Sequence, residues 1–137
     1  MGKNAEFEPV FARLRDILRK HSGVLRVEHD TADHFGLAGA TGPETIAAWG
    51  GKMRSPTIPV AWVEVGKTYV SYHLMGVYGI PKLLEGCSPE LRARMQGKSC
   101  FNFTKVDEKL IKELDGLTLQ SLTGMRKAGF IANNKGG

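Results

Sequence analysis

The sequence has little cysteine and no long apolar run, and both shortages restrict its class. The two cysteines, Cys87 and Cys100, lie far apart, and neither has a second Cys or His at the spacing of a metal-binding box. This usage excludes a disulfide scaffold and a cysteine zinc site, and it is typical of free thiols in a reducing compartment. No stretch reaches the roughly 18 apolar residues that span a bilayer, and no apolar signal core is present. We therefore expect a cytoplasmic protein without a membrane partner.

Motifs of catalysis and of phosphate binding are also missing. No nucleophile stands in a recognisable pattern with a base. The tripeptide Gly97-Lys98-Ser99 lacks the upstream glycine of a phosphate loop, because Arg92 occupies that position. The sequence therefore favours a non-enzymatic binding domain over an enzyme.

Basic residues outnumber acidic ones but do not form a run. The chain has 19 Lys and Arg against 14 Asp and Glu, a formal net charge of +5. This surplus allows attraction to phosphates, so a basic nucleic-acid-binding domain stays an alternative. Because the basic residues are spread along the chain, they more often indicate a solvated surface.

The length and the apolar content predict one domain. A chain of 137 residues, 42% of them hydrophobic, can bury a core without disulfides or metal. We expect a single domain over residues 1–137, with frayed ends at about residues 1–8 and 132–137.

Hydrophobic periodicity predicts an α+β fold. An apolar stripe after Pro9 indicates an amphipathic helix, and alternating runs indicate four strands before residue 76. Two short helices, a strand over residues 98–104 and a helix starting at Asp107 follow, with an interruption predicted at Asp115-Gly116. We expect two layers, with an antiparallel sheet of four to five strands and the helices packed on one face. The Gly- and Pro-rich stretch from Gly39 to Pro59 is interpreted as an irregular excursion.

The clearest hairpin joins residues 60–65 to residues 68–75 through Gly66-Lys67. Glycine in the first of two central positions is typical of a type II′ turn, which sets a register with Trp62 opposite Ser71. Alternation then predicts one apolar face and one mixed face. The mixed face holds Val60, Trp62, Glu64, Tyr69, Ser71, His73 and Met75.

The mixed face offers more recognition chemistry than any other part of the chain. We predict that a small ligand binds there, beside the excursion. The predicted contact residues are Trp62, Tyr69, Ser71 and His73, with Lys98, Cys100 and Asn102 from the later strand. Two alternatives stay open. The aromatic side chains are covered by the excursion or by a second subunit in a homodimer, and Cys100 is either a reactive thiolate beside Lys98 or a half-buried sheet residue.

A second candidate site lies between the first two strands. If Thr31-Ala32 forms a two-residue turn, His29 and His34 stand directly opposite, with Cβ atoms about 5 Å apart. Nitrogen and carboxylate ligands at that spacing suit a metal ion. The predicted metal ligands are His29, Asp30, Asp33 and His34. The alternative is a wider, solvated loop, because Thr-Ala is poor chemistry for a primed turn.

Several blocks resemble the YdhG-like family of small bacterial proteins. They are residues 72–78, 83–86, 88–91 and, above all, 95–103, which contain the run Gln-Gly-Lys-Ser-Cys-Phe-Asn-Phe. The resemblance implies an α+β fold similar to frataxin and to YjbR-type domains. It also implies a role as an iron or small-ligand chaperone, as described for some frataxin-like members. The alternative that it implies is DNA binding, as suggested for YjbR-like relatives.

Overall fold

The helix and strand bounds come from a computed structural model that describes residues 7–23, 25–40, 42, 57–97, 99–129 and 131. Within these residues, five antiparallel strands form one sheet in the order β1-β2-β3-β4-β5. The strands are β1 Arg26–Asp30, β2 His34–Ala40, β3 Thr57–Val65, β4 Val70–Leu74 and β5 Cys100–Phe103. Since each strand pairs with its neighbour in sequence, the sheet is a simple meander.

The described helices cover one face of the sheet. They are α1 Phe7–Arg19, α2 Met75–Gly79, a 3₁₀ helix Pro81–Gly86, α3 Pro89–Arg92 and α4 Glu108–Ala128. Helix α1 packs on β3 and β4, and α4 packs on α1, α2 and α3. The predicted two-layer α+β fold is confirmed. None of the described helices is long and apolar enough to cross a bilayer.

Every second residue of β4, of β5 and of β3 from Ala61 onward enters the core between the sheet and the helices. Val63, Tyr72 and Phe101 are each 0% exposed. Tyr72 keeps its hydroxyl satisfied in this core. Thr118 Oγ1 donates to the Leu114 carbonyl at 2.8 Å, so the Tyr72 hydroxyl donates to Thr118 Oγ1 at 2.6 Å. The strand alternation therefore fixes which residues stabilise the fold and which are left on the other face.

Helix α4 is continuous, so the interruption predicted at Asp115-Gly116 is wrong. The apolar repeat runs through it, with Leu114 and Leu117 both buried, while Gly116 is exposed on the outer side. The N-cap of the helix is Asp107, whose side chain accepts from Leu110 N, and its C-cap is Gly129, whose φ of 84° is left-handed. At the N-terminus, helix α1 begins at Phe7, inside the region predicted to fray, because Phe7 is buried.

The β3–β4 turn differs from the predicted type II′ turn. Gly66 N donates to Tyr69 O at 2.9 Å, so the two central residues are Lys67 and Thr68. Gly66 is not among the left-handed glycines. The register is accordingly shifted by two residues, with Trp62 opposite His73 and not opposite Ser71. Because side chains alternate with a period of two, this shift leaves the face of each residue unchanged.

One residue does change face. The β2–β3 register slips between Leu37 and Ala38, which pair with Ala61 and Pro59, so Val60 is an extra residue. This bulge turns Val60 inward, where it is 0% exposed. The prediction that Val60 lies on the mixed face is therefore wrong.

Candidate ligand-binding face of the sheet

One row of side chains crosses all five described strands on the face that the helices leave open. It consists of His29, Gly36, Trp62, His73 and Cys100, in which each residue is the register partner of the next. Trp62, His73 and Cys100 are half-buried, whereas their strand neighbours Val63, Tyr72 and Phe101 are buried in the core. We call this surface the open face. It gathers residues that lie up to 71 positions apart in the chain (from 29 to 100).

A second row lies beside the first. His34, Glu64, Ser71 and Asn102 are register partners across β2 to β5. Ser71 and Asn102 thus stand next to His73 and Cys100, as predicted for a shared surface. Lys98, the remaining predicted contact, lies outside the described residues, as does residue 41 and the part of the predicted excursion from 43 to 56.

Trp62 and His73 form a stacked pair at the centre of the open face. Their ring centroids are 4.6 Å apart and their planes differ by 11°. Burial lowers the pKa of His73, with Glu64 opposing this effect and His34 adding to it. The imidazole is therefore neutral at neutral pH, and the stack holds its orientation.

Beside this stack, a polar network runs from His73 to Tyr69. The Cys100 thiol donates to Asn102 Oδ1 at 3.3 Å, and its Sγ lies 3.7 Å from His73 Nε2. The Asn102 amide Nδ2 donates to Gln96 Oε1 at 2.7 Å, and the Tyr69 hydroxyl donates to the same oxygen at 3.2 Å. Four of the predicted contact residues, Tyr69, His73, Cys100 and Asn102, are therefore joined through a fifth residue, Gln96.

The sequence analysis missed Gln96. The chain turns back at Gly97, whose φ is 86°, so that Met95 pairs with Phe101 and Gln96 N donates to Cys100 O at 2.9 Å. Residues 94–96 thus run alongside β5 and aim the Gln96 side chain at Asn102. Gly97 was the sequence signal that could have indicated this arrangement, since a glycine allows a tight chain reversal just before a strand.

Cys100 is a thiol at neutral pH and not a reactive thiolate. Burial raises its pKa, with a hydrogen bond from Ser71 acting in the opposite direction. Catalytic cysteines need a lowered pKa. Of the two alternatives left open for Cys100, the structure favours the half-buried sheet residue.

The predicted metal set His29, Asp30, Asp33 and His34 is not assembled. Thr31 N donates to His34 O, which makes Ala32-Asp33 the central residues of the turn and places His34 diagonally to His29. The two imidazoles stack with centroids 4.2 Å apart and planes 11° from parallel. Since the lone pair of an imidazole nitrogen lies in its ring plane, two parallel rings cannot both direct one at a single ion.

The two aspartates also point elsewhere. Asp30 is the register partner of Phe35, whose side chain enters the core, and its carboxylate is 3.9 Å from Arg19. Asp33 Oδ1 accepts from the Thr31 hydroxyl at 3.1 Å within the turn. Across the residues that the structure describes, no group of three or more His, Cys, Asp or Glu side chains could hold a metal.

A pocket opens over Gly36 of the first row. It has a volume of about 250 Å³. Its lining residues are Glu28, His29, His34, Gly36, Leu37, Pro59 and Trp62. A Cβ atom on Gly36 would lie 3.2 Å from Trp62 Cβ and 3.5 Å from His29 Cδ2. The missing side chain therefore creates the space between the His29–His34 pair and Trp62.

A larger groove between α1 and α4 has a different character. Four of its six charged lining residues form ion pairs: Arg13 with Glu108, and Lys20 Nζ with Asp115 Oδ2 at 2.5 Å. These pairs are exposed and compensate each other's charge, so the groove is a solvated helix interface.

Comparison of the chain with protein-family models, with curated proteins and with solved structures finds no match. The resemblance to the YdhG-like family accordingly stays a prediction from the sequence.

Proposed function

We propose that this chain is a non-enzymatic binding domain that holds a small ligand on the open face of its sheet. The observation that carries the proposal is the pocket over Gly36, which has an aromatic pair on each side. Ligand sites are typically concave and mostly apolar, with a few polar groups that orient the ligand. The pocket meets this description with Trp62, Pro59 and Leu37 as apolar lining and Glu28 as a polar group.

The aromatic lining of the pocket favours a flat ring as the ligand. His29, His34 and Trp62 all line the pocket. A flat ring that lies against the Trp62 indole gains both burial and stacking. The proposed ligand class is therefore a small aromatic compound.

The charges around the pocket favour a neutral or cationic ligand over nucleic acid. Glu28 lines the pocket, and Glu64 lies on the adjacent row. The two rows of the open face contain no Lys or Arg among the described residues. Among the described residues of these two rows, a phosphate backbone would find no cation to replace its counterions, and the nearby Arg26 is 3.7 Å from the Glu28 carboxylate. The basic nucleic-acid-binding alternative therefore receives less support than small-ligand binding.

The proposal places the ligand on the sheet and not on the first helix. The resemblance implies frataxin-like iron handling, which relies on an acidic first helix. Within α1, Arg13, Arg15 and Arg19 outnumber Glu8 and Asp16. A cation would meet net repulsion along this helix.

Ligand-observed NMR with a set of small flat aromatic compounds tests the proposal. Saturation transfer is expected to the aromatic compounds and not to their fully saturated analogues. Gly36→Val, which fills the pocket, is expected to abolish the transfer. The matched control Ser71→Val places the same side chain on the open face away from the pocket lining and should keep it.

The contrary outcome is equally clear. Equal transfer to the wild type and to Gly36→Val would remove the pocket from the proposal. Retention of the protein on duplex DNA that decreases steeply with added salt, together with no aromatic binding, would favour the nucleic-acid alternative.

A further inference from the structure

The two edges of the sheet differ in what lies beside them. Along β5 run residues 94–96, where Gln96 N donates to Cys100 O at 2.9 Å and Asn102 N donates to Arg94 O at 2.8 Å. Beyond β1, the structure describes no further strand. An edge strand that nothing covers presents backbone N–H and C=O groups on its outer side and can pair with another chain. Of the two described edges, β1 is therefore the one to which a strand can be added.

We infer that β1 pairs with β1 of a second copy of this chain, antiparallel, about a two-fold axis at Val27. The five described strands of each copy then continue into those of the other as one sheet. The partner is thus a second copy of the chain, and the surface is the outer edge of β1. This inference goes beyond the proposed ligand binding and does not depend on it.

Val27 supplies an apolar surface at the proposed axis. It is the register partner of Leu37, whose side chain is buried in the core, so Val27 lies on the covered side of the sheet. Val27 is nevertheless 39% exposed, at the margin of that core. When the two copies pair at this residue, the two Val27 side chains face each other and remove apolar surface from water, which favours association.

Two-fold symmetry and charge together restrict the register. Directly opposite side chains of an antiparallel pair lie on the same face, so a two-fold axis perpendicular to the sheet passes through a residue that faces its own copy. An axis at Arg26, Glu28 or Asp30 would set that charge against itself. An axis at His29 would set Glu28 against Asp30 of the second copy. Like charges in directly opposite positions are destabilising, which leaves the axis at Val27.

In the remaining register, Arg26 of each copy faces Glu28 of the other. The two side chains lie on the same face of the strand, since Arg26 Nε is 3.7 Å from Glu28 Oε2 within one chain, and they are 72% and 39% exposed. Arg26 and Val27 keep regular pairing with Ala38 and Leu37 on the inner side, because the bulge of β1 comes after them. Charges on an edge strand usually prevent pairing. Here they prevent every two-fold register of β1 except one.

The proposed dimer brings two ligand pockets onto one surface. A two-fold axis perpendicular to the sheet places the helices of both copies on one side and both open faces on the other. Gly36 lies on β2, the neighbour of β1. Measured across the strands, the two pockets over Gly36 are therefore three strand spacings apart, about 14 Å.

Sedimentation equilibrium of the full chain tests the dimer. An interface made by one short strand from each copy falls below the roughly 1,200 Å² of stable complexes, so the association is expected to be weak and concentration-dependent. Between about 10 μM and about 1 mM, the average mass should rise from that of the chain toward twice that value. Added salt should lower it, since the exposed charge pairs are screened. A mass of 15.0 kDa at every concentration would overturn the inference.

Charge reversal makes the test specific for the register. Arg26→Glu and Glu28→Arg each place like charges opposite one another twice, so each variant should be monomeric over the same range. An equal mixture of the two variants should dimerise again, because the acidic pair of one chain then faces the basic pair of the other. Lys67→Glu, an equal charge reversal in the exposed β3–β4 turn, should keep the wild-type behaviour. Circular dichroism and thermal melting establish that each variant folds.

Two further results would overturn the inference. One is wild-type association in Arg26→Glu or Glu28→Arg alone, and the other is a mixture of the two that stays monomeric. The outcome is separable from the fate of the ring pocket. Gly36→Val should lose aromatic binding and keep the dimer, whereas a monomeric wild type that binds aromatic compounds would contradict the dimer alone.

Discussion

The two faces of the sheet are built from alternate residues of the same strands, yet they differ in chemistry and in burial. Tyr72 and Phe101 are 0% exposed beneath the helices, whereas their neighbours His73 and Cys100 are half-buried on the open face. The buried strand residues of the covered face that the structure describes are apolar apart from the Tyr72 hydroxyl, which has its own partner. Because adjacent residues point in opposite directions, one set stabilises the core and the other set forms the proposed ligand-binding face.

The largest effect is expected for Phe101, on the covered face, compared with its neighbour Cys100 on the open face. Phe101→Ala should lower the free energy of unfolding by about 3–5 kcal/mol, since it removes a fully buried ring and leaves a cavity. Cys100→Ala, one residue earlier, should cost less than about 1.5 kcal/mol. Chemical denaturation monitored by circular dichroism measures both. Equal losses would mean that the open face also contributes to the core.

The sequence predicted the faces because alternation with a period of two is visible in the residues themselves. The register was wrong by two residues, and the residues could not reveal it, since such a shift leaves the pattern unchanged. Trp62 was consequently placed opposite Ser71, when it stacks on His73. Val60 was misplaced for another reason, because a bulge is set by the pairing partner and not by the strand's own residues.

The candidate site was predicted as a set of residues but not as an arrangement. Trp62, Ser71, His73, Cys100 and Asn102 do share the open face, and Tyr69 is joined to Asn102 through Gln96. Contacts between distant strands were invisible, so neither Gln96 nor the pocket over Gly36 could be found. The helix at Gly116 was predicted to break because glycine has a low helix propensity. The packing that keeps α4 continuous is not visible in the sequence.

The next effect concerns the close approach of α2 and α4 on the covered side. A Cβ atom on Gly76 would lie 2.9 Å from Ser121 O and 2.0 Å from Ser121 Oγ. Gly76→Ala should therefore destabilise the protein by about 1–3 kcal/mol through overpacking. Gly36→Ala is the comparison on the open face, where the nearest atom would be Trp62 Cβ at 3.2 Å. Denaturation midpoints that rank Gly36→Ala as the more damaging change would contradict the difference in packing between the sides.

A smaller effect is expected at the polar atom of the covered face. Tyr72→Phe removes the hydrogen bond to Thr118 and should cost about 1 kcal/mol at pH 7. Burial raises the pKa of Tyr72 above its usual range, so the folded state keeps the phenol neutral while the unfolded chain ionises above about pH 10. Wild-type stability contributed by this group is therefore present below pH 10 and falls by about 1.4 kcal/mol per pH unit above it.

Tyr72→Phe should remove the loss of unfolding free energy that Tyr72 ionisation causes. The stability of the variant relative to the wild type should therefore increase as the pH rises above about 10. Urea denaturation at intervals from pH 7 to pH 11 measures the difference. The neighbouring open-face change His73→Phe serves as control, because it leaves Tyr72 in place and should keep the alkaline slope. A constant difference between wild type and Tyr72→Phe at every pH would show that the phenol is not buried.

The smallest effect tests whether α4 is one continuous helix. Gly116 is exposed within α4, and a Cβ atom there would meet nothing within 4 Å. In a continuous helix Gly116→Ala should stabilise the protein by about 0.5–1 kcal/mol, because alanine loses less backbone entropy on folding. Gly129→Ala at the end of the same helix should destabilise it, since its φ of 84° is strained for any residue with a Cβ. Opposite signs in thermal melts of the two variants are expected. If Gly116→Ala were also destabilising, the chain would bend at Asp115-Gly116, and the helical cover would be two pieces.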